Sequence, residues 1–192
     1  DLKKIRYLFG GDLLRQGIAT SMGVEALQIP MFGLYGACST SGEALALASM
    51  SAAAGYGGTM IAVTSSHFGS AEKEFRFPLG YANQRPLSSH WTVTGSGAFL
   101  VQSAEEYRKQ NTKSYFSNIR ITGVTVGKIV DYGLKDSQNM GACMAPAAMD
   151  TIVQNFQDME RKEKDYDRII TGDLGSIGRT ILFDLIREKG YD

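Results

Sequence analysis

Apolar positions along this chain follow two alternating rhythms. Short continuous runs, Ile5–Phe9, Met31–Tyr35, Met60–Thr64 and Gly95–Val101, predict buried strands, because a strand covered on both faces loses its two-residue alternation. Between them the spacing turns helical: Leu14, Ile18, Met22 and Ala26 put one apolar face on a helix over 13–27. The run 43–54 is nearly all Ala, Leu, Met and Ser, which predicts a helix buried on every side. Residues 68–91 show no period and hold Pro78 and Pro86; a connection that long points to a functional or partner-contacting role. The polar run Glu105–Ser114 predicts a surface crossover.

A second series follows. Ile119–Val126 alternates as a strand, 127–144 is a loop, and Pro146 suits the first turn of a helix running to Glu160. Arg168–Thr171 predicts a strand, and Arg179–Lys189 a helix that Gly190 ends. Tyr7-Leu8-Phe9-Gly10-Gly11-Asp12-Leu13 is echoed by Arg168-Ile169-Ile170-Thr171-Gly172-Asp173-Leu174. Each copy sets a strand before Gly-Asp-Leu and a helix after it, which favours duplication of an α/β half. The expected fold is therefore α/β, with two related halves whose mainly parallel or mixed sheets are covered by helices. The halves divide at 1–114 and 115–192.

Composition narrows the function. The 192 residues are 43% hydrophobic and 21% charged, with a formal net charge of zero and no basic tract. Binding to nucleic acid through charge is disfavoured. No apolar run approaches the ~20 residues of a membrane span. Only Cys38 and Cys143 carry thiols, which predicts a reducing compartment rather than a disulfide framework.

The chemistry gathers around Gly36-Ala37-Cys38-Ser39-Thr40-Ser41. Cys38 falls where an apolar strand gives way to a helix, and Thr40 with Glu43 reads as a capping box. A thiol at a helix start meets unpaired N–H groups and the positive end of the dipole, which suits a nucleophile or an anion cradle. The plain alternative is a small buried hydrophobe. A nucleophile would need a base, and His67 and His90 are the only histidines. Ser65-Ser66-His67 ends a strand, where α/β sites collect, although a polar strand end can also satisfy its own backbone. Glu72–Pro78 alternates charged and aromatic residues; a solvated edge is the ordinary explanation, yet Arg76 offers a guanidinium for a carboxylate. Thr92–Gly97 is a tight polar turn whose N–H groups could line a pocket. Gly172–Gly178 lacks the spacing of a nucleotide loop. Cys143, in a small-residue run, reads as structural, and no His/Cys pair has metal-ligand spacing.

Taken in order, Gly36–Ser41, Ser65-Ser66-His67, Glu74–Pro78, Thr92–Gly97, Met144–Ala148 and both Gly-Asp-Leu segments resemble the stage V sporulation protein AD family of spore-forming bacteria. The resemblance covers essentially the whole chain. It implies a thiolase-like fold and a partial copy, entering partway through the first half and stopping partway through the second. It implies a non-enzymatic role: binding pyridine-2,6-dicarboxylic acid (dipicolinic acid), as its calcium chelate, and helping move it into the developing spore. No cofactor is implied. The expected partners are that ligand, the membrane proteins of the same stage V sporulation A operon and a second copy of the chain. The expected location is peripheral to the spore inner membrane, after synthesis in the forespore cytoplasm. Carried over by motif position, the ligand-binding set is Cys38, Ser39, Ser66, His67, Arg76, Phe77 and Thr94, with no metal ligand. Gly42 stands where the resemblance implies a larger residue such as Met. The competing expectation is acyl transfer of the thiolase or ketoacyl synthase type, with Cys38 as nucleophile.

Overall fold

The computed structural model describes residues 1–14, 17–67, 86–90, 93–110 and 119–192. They fall into two compact units, one drawn from Asp1–Glu72 and Val93–Thr122, the other from Lys73–Thr92 and Gly123–Asp192.

The first unit is a four-stranded sheet with helices. Its strands are β1 (Tyr7–Asp12), β2 (Met31–Gly33), β3 (Thr59–Ser66) and β4 (Gly95–Gln102). Their spatial order is β2-β1-β3-β4. β1 runs parallel to β2 and β3, and β4 returns antiparallel to β3. The mixed sheet and its covering helices agree with the α/β expectation. Helix α1 (Ile18–Val24) leads from β1 to β2, and α2 (Thr40–Ala53) leads from β2 to β3. Helix α3 (Ala104–Gln110) follows β4.

The core explains why α2 is so rich in alanine. Ala44, Ala48 and Ala52 recur every four residues and bury one stripe against Phe9, Met60 and Ala62. Small side chains let the helix axis approach the sheet closely. The expectation of burial on every side does not hold, for Met50 on another face is 50% exposed. Phe32 on β2 stacks on Phe9 with ring centroids 5.1 Å apart, and Tyr7 meets it edge-on at 5.6 Å. Gly11 in β1 is forced by sterics, since a Cβ there would sit 2.0 Å from the Leu34 carbonyl oxygen.

The second unit is built on two helices, α4 (Met140–Asp158) and α5 (Gly175–Glu188). Ala145 and Met149 on α4 pack with Leu182 and Ile186 on α5, joined by Leu174. The axes come together at two glycines: a Cβ on Gly178 would lie 2.6 Å from the Cα of Gly141. Tyr166 donates its hydroxyl proton to Asn155 Oδ1 at 2.7 Å and leans on Phe156.

Several boundaries differ from expectation. Helix α2 begins at Thr40 rather than Glu43, and the capping box does not form. The Thr40 hydroxyl instead donates to Ala37 O at 2.8 Å and accepts from Gly36 N–H at 3.0 Å. Pro146 lies inside α4, not in its first turn, because Asn139 caps the helix earlier by accepting from Ala142 N–H. Ile119–Val126 and Arg168–Thr171 are not strands, and neither joins the four-stranded sheet of the described residues. Their apolar side chains stand exposed, Ile119 and Ile170 above all. Cys143 lies on an exposed face of α4 and is no core residue. Gly190, at φ +84°, does end α5.

Candidate functional site

The strand order creates the site. The chain leaves β1 toward β2 on one side, and leaves β3 toward β4 on the other. Such a reversal opens a crevice at the carboxyl ends of the two parallel strands. Register places Asp12, the last residue of β1, opposite Ser65 near the end of β3. There a cleft of about 140 Å³ is lined by Asp12, Leu13, Leu14, Ala19, Ser65, Ser66 and His67.

Asp12 organises one wall. It is buried, and its carboxylate accepts from Leu14 N–H at 2.8 Å, Thr20 N–H at 2.7 Å and the Thr20 hydroxyl at 2.5 Å. Three donors compensate the desolvated charge. The same Asp-to-second-residue turn recurs at Asp173, which accepts from Gly175 N–H at 2.9 Å. The Gly-Asp-Leu echo in the sequence is thus also an echo of geometry. Sequence reasoning identified the repeat but did not foresee that Asp12 would line the cleft; its signal was a lone acid at the end of an apolar strand.

The expected ligand residues divide into three groups. Ser66 and His67 share the cleft. The Ser66 hydroxyl donates to Val93 O, so its oxygen is left as an acceptor. Thr94, next to Val93, is exposed at the start of β4. Cys38 and Ser39 belong to a 3-10 turn, Ala37–Ser39, directly ahead of α2, and are not among the residues lining this cleft. Cys38 is exposed, so burial for packing is not its role. The residue before it, Ala37, has φ +48°, a left-handed conformation that costs a side chain energy. Arg76 and Phe77 lie outside the described residues. His90 is buried, away from solvent, beside Asp173.

Gly42 faces open space, with nothing within 4 Å of a Cβ built on it. A larger residue there would project outward from α2. Among the described residues no cluster of three or more His, Cys, Asp or Glu side chains could hold a metal ion. No helix among them is long and apolar enough to cross a membrane.

Comparison with known proteins agrees with this architecture. A tetronic acid condensing enzyme of known structure overlays 96% of this chain and 61% of its own, with a TM-score of 0.57 at 13% identity. A priming β-ketosynthase from a polyketide pathway matches 55% of this chain and 30% of its own, with a TM-score of 0.40 at 18% identity. The former overlay makes the fold thiolase-like. Stage V sporulation protein AD of Bacillus subtilis is 42% identical over 187 residues, 97% of this chain. The chain spans 52% of the length of that relative. The family description that matches, over residues 1–192, is again Stage V sporulation protein AD. That match over its whole length shows that the chain belongs to the stage V sporulation protein AD family.

Proposed function

We propose that the chain forms part of a dipicolinic acid-binding protein that assists uptake of this compound into the developing spore. Membership of a sporulation family supplies the setting. The observation that carries the reading is the cleft where β1 and β3 end, which joins Ser66 and His67 beside apolar Leu13, Leu14 and Ala19. Its volume is about 140 Å³, below the ~300 Å³ at which small-molecule pockets commonly begin. It therefore suits one edge of a flat ring.

Charge selects the form of the ligand. Dipicolinate is a dianion at neutral pH, and the Asp12 carboxylate in the cleft wall would repel it. The neutral calcium chelate avoids that repulsion. It also presents a hard cation that the accepting Ser66 oxygen can approach. On this reading the protein acts with neighbouring membrane proteins at the inner spore membrane and catalyses no reaction.

Calorimetric titration of the chain with dipicolinic acid, with and without calcium, tests the reading. Saturable heat that requires calcium and weakens in Ser66→Ala supports it. A folded chain that gives no heat in either condition overturns it.

One observation favours acyl transfer as the second reading. Cys38 is an exposed thiol directly ahead of α2, raised on the strained Ala37. Incubation with acyl-coenzyme A followed by intact mass measurement separates the two. An adduct that disappears in Cys38→Ser supports the enzyme, and its absence supports binding alone.

A further inference from the structure

Ser-Ser-His occurs twice in this chain, at 65–67 and at 88–90. Each copy stands beside one of the two Gly-Asp-Leu turns: His67 shares a cleft with Asp12, and His90 faces Asp173. The first copy belongs to the site already described. The second has no role in it.

His90 is only 5% exposed, and its Nδ1 lies 3.7 Å from Asp173 Oδ2. A proton on Nδ1 points at that carboxylate, so Nε2 is left to meet something else. Nε2 is buried without a hydrogen-bond partner, and so is the hydroxyl oxygen of Ser89. Two orphaned polar atoms on consecutive residues are unusual, because burial without a partner is costly. The imidazole edge is turned toward the first residue of α5. A Cβ built on Gly175 would lie 3.6 Å from Cε1 and 3.7 Å from Nε2.

The start of α5 supplies the complementary groups. This helix of 14 residues has no side-chain cap from Leu174. The Gly175 N–H is taken by Asp173. The N–H groups of the residues that follow have no partner within the helix, and the dipole adds positive charge there. An oxyanion beside Nε2 would find donors in the helix N–H groups, in the Ser89 hydroxyl and in Nε2 whenever that nitrogen carries a proton. Asp173 meets the ring at Nδ1, 3.7 Å from its Oδ2, while its Oδ1 accepts from Gly175 N–H.

We propose that Ser89, His90 and the start of α5 form a second polar site, which takes a small oxyanion group, a carboxylate or a phosphate. The proposal does not rest on dipicolinic acid binding at the first site.

The test is a titration of the whole chain with inorganic phosphate, and separately with acetate, at ionic strength held constant with chloride. The imidazole Hε1 resonances of the two histidines are followed by NMR, and His90→Gln identifies which signal is which. A saturable shift of the His90 signal with His67 unmoved is the expected result. Ser89→Ala weakens the midpoint about five- to tenfold, the loss of one hydrogen bond. Tighter binding of phosphate assigns the site to phosphate groups, and tighter binding of acetate to carboxylates. A His90 signal unmoved by either probe means that trapped water alone meets Nε2, and overturns the proposal. So does a shift that chloride reproduces, or a Ser89→Ala midpoint equal to that of the unaltered chain. Dipicolinic acid binding is read separately at Ser66, so each idea can fail alone.

Discussion

Asp12 grips Thr20 twice, accepting from its backbone N–H at 2.7 Å and from its hydroxyl at 2.5 Å, with both residues buried. This clamp ties the end of β1 to α1 and fixes one wall of the cleft. A carboxylate can accept all three of its bonds, whereas an amide turns one of those oxygens into a donor.

Asp12→Asn is expected to lower stability by about 2–3 kcal/mol, since buried donors lose their acceptor. Thr20→Val, which removes only the hydroxyl bond, is expected to cost about 1 kcal/mol. Urea denaturation measures both. An Asp12→Asn loss within the ~0.5 kcal/mol typical of surface substitutions would show that the clamp is not holding the strand end.

Ala37 carries φ +48° immediately ahead of Cys38. Glycine has no Cβ to clash in that region, so Ala37→Gly should stabilise the chain by about 0.5–1 kcal/mol. Thermal unfolding reports the gain. An unchanged or lower melting temperature would mean that the turn is not strained.

Gly42 is the third residue of α2 and faces open space. Gly42→Ala is expected to raise stability by about 0.5–1 kcal/mol, because glycine is a poor helix former and nothing here requires it. Chemical denaturation checks this, and a loss would contradict the open surroundings.

Gly141 and Gly178 show the opposite case. A Cβ on Gly178 would overlap the Gly141 backbone, with 2.6 Å to its Cα. Gly178→Ala should therefore push α5 from α4 and cost about 1–3 kcal/mol, the range for overpacked interiors. Calorimetry on Gly178→Ala and on the surface control Gly42→Ala separates close packing from any general effect of adding a methyl group.

Local signals carried much of the first unit. The continuous apolar runs around Leu8 and Met60 became the parallel strands β1 and β3, whose burial leaves its mark in hydrophobicity alone, and the run around Leu100 became the antiparallel, largely exposed β4. The helix ahead of β3 was legible from its alanines. Its one-sided burial was not, since a helix of small residues reads the same whichever face meets the sheet. Ile119–Val126 and Arg168–Thr171 carry a strand pattern, yet neither belongs to the sheet formed by the described residues. A pattern records what a segment can do, and a ladder needs a partner.

The α/β class, the Gly-Asp-Leu repeat and the family were legible along the chain. These reside in residue order and periodicity, which need no third dimension. Folding alone brought Asp12 to Ser65, Ser66 and His67 at one cleft. It also decided that His90 is buried against Asp173, 83 positions along the chain (173 − 90), with Nε2 facing the start of α5. Such meetings depend on strand order and helix packing. Those follow from which surfaces bury one another, a property of the whole assembly of elements rather than of any segment.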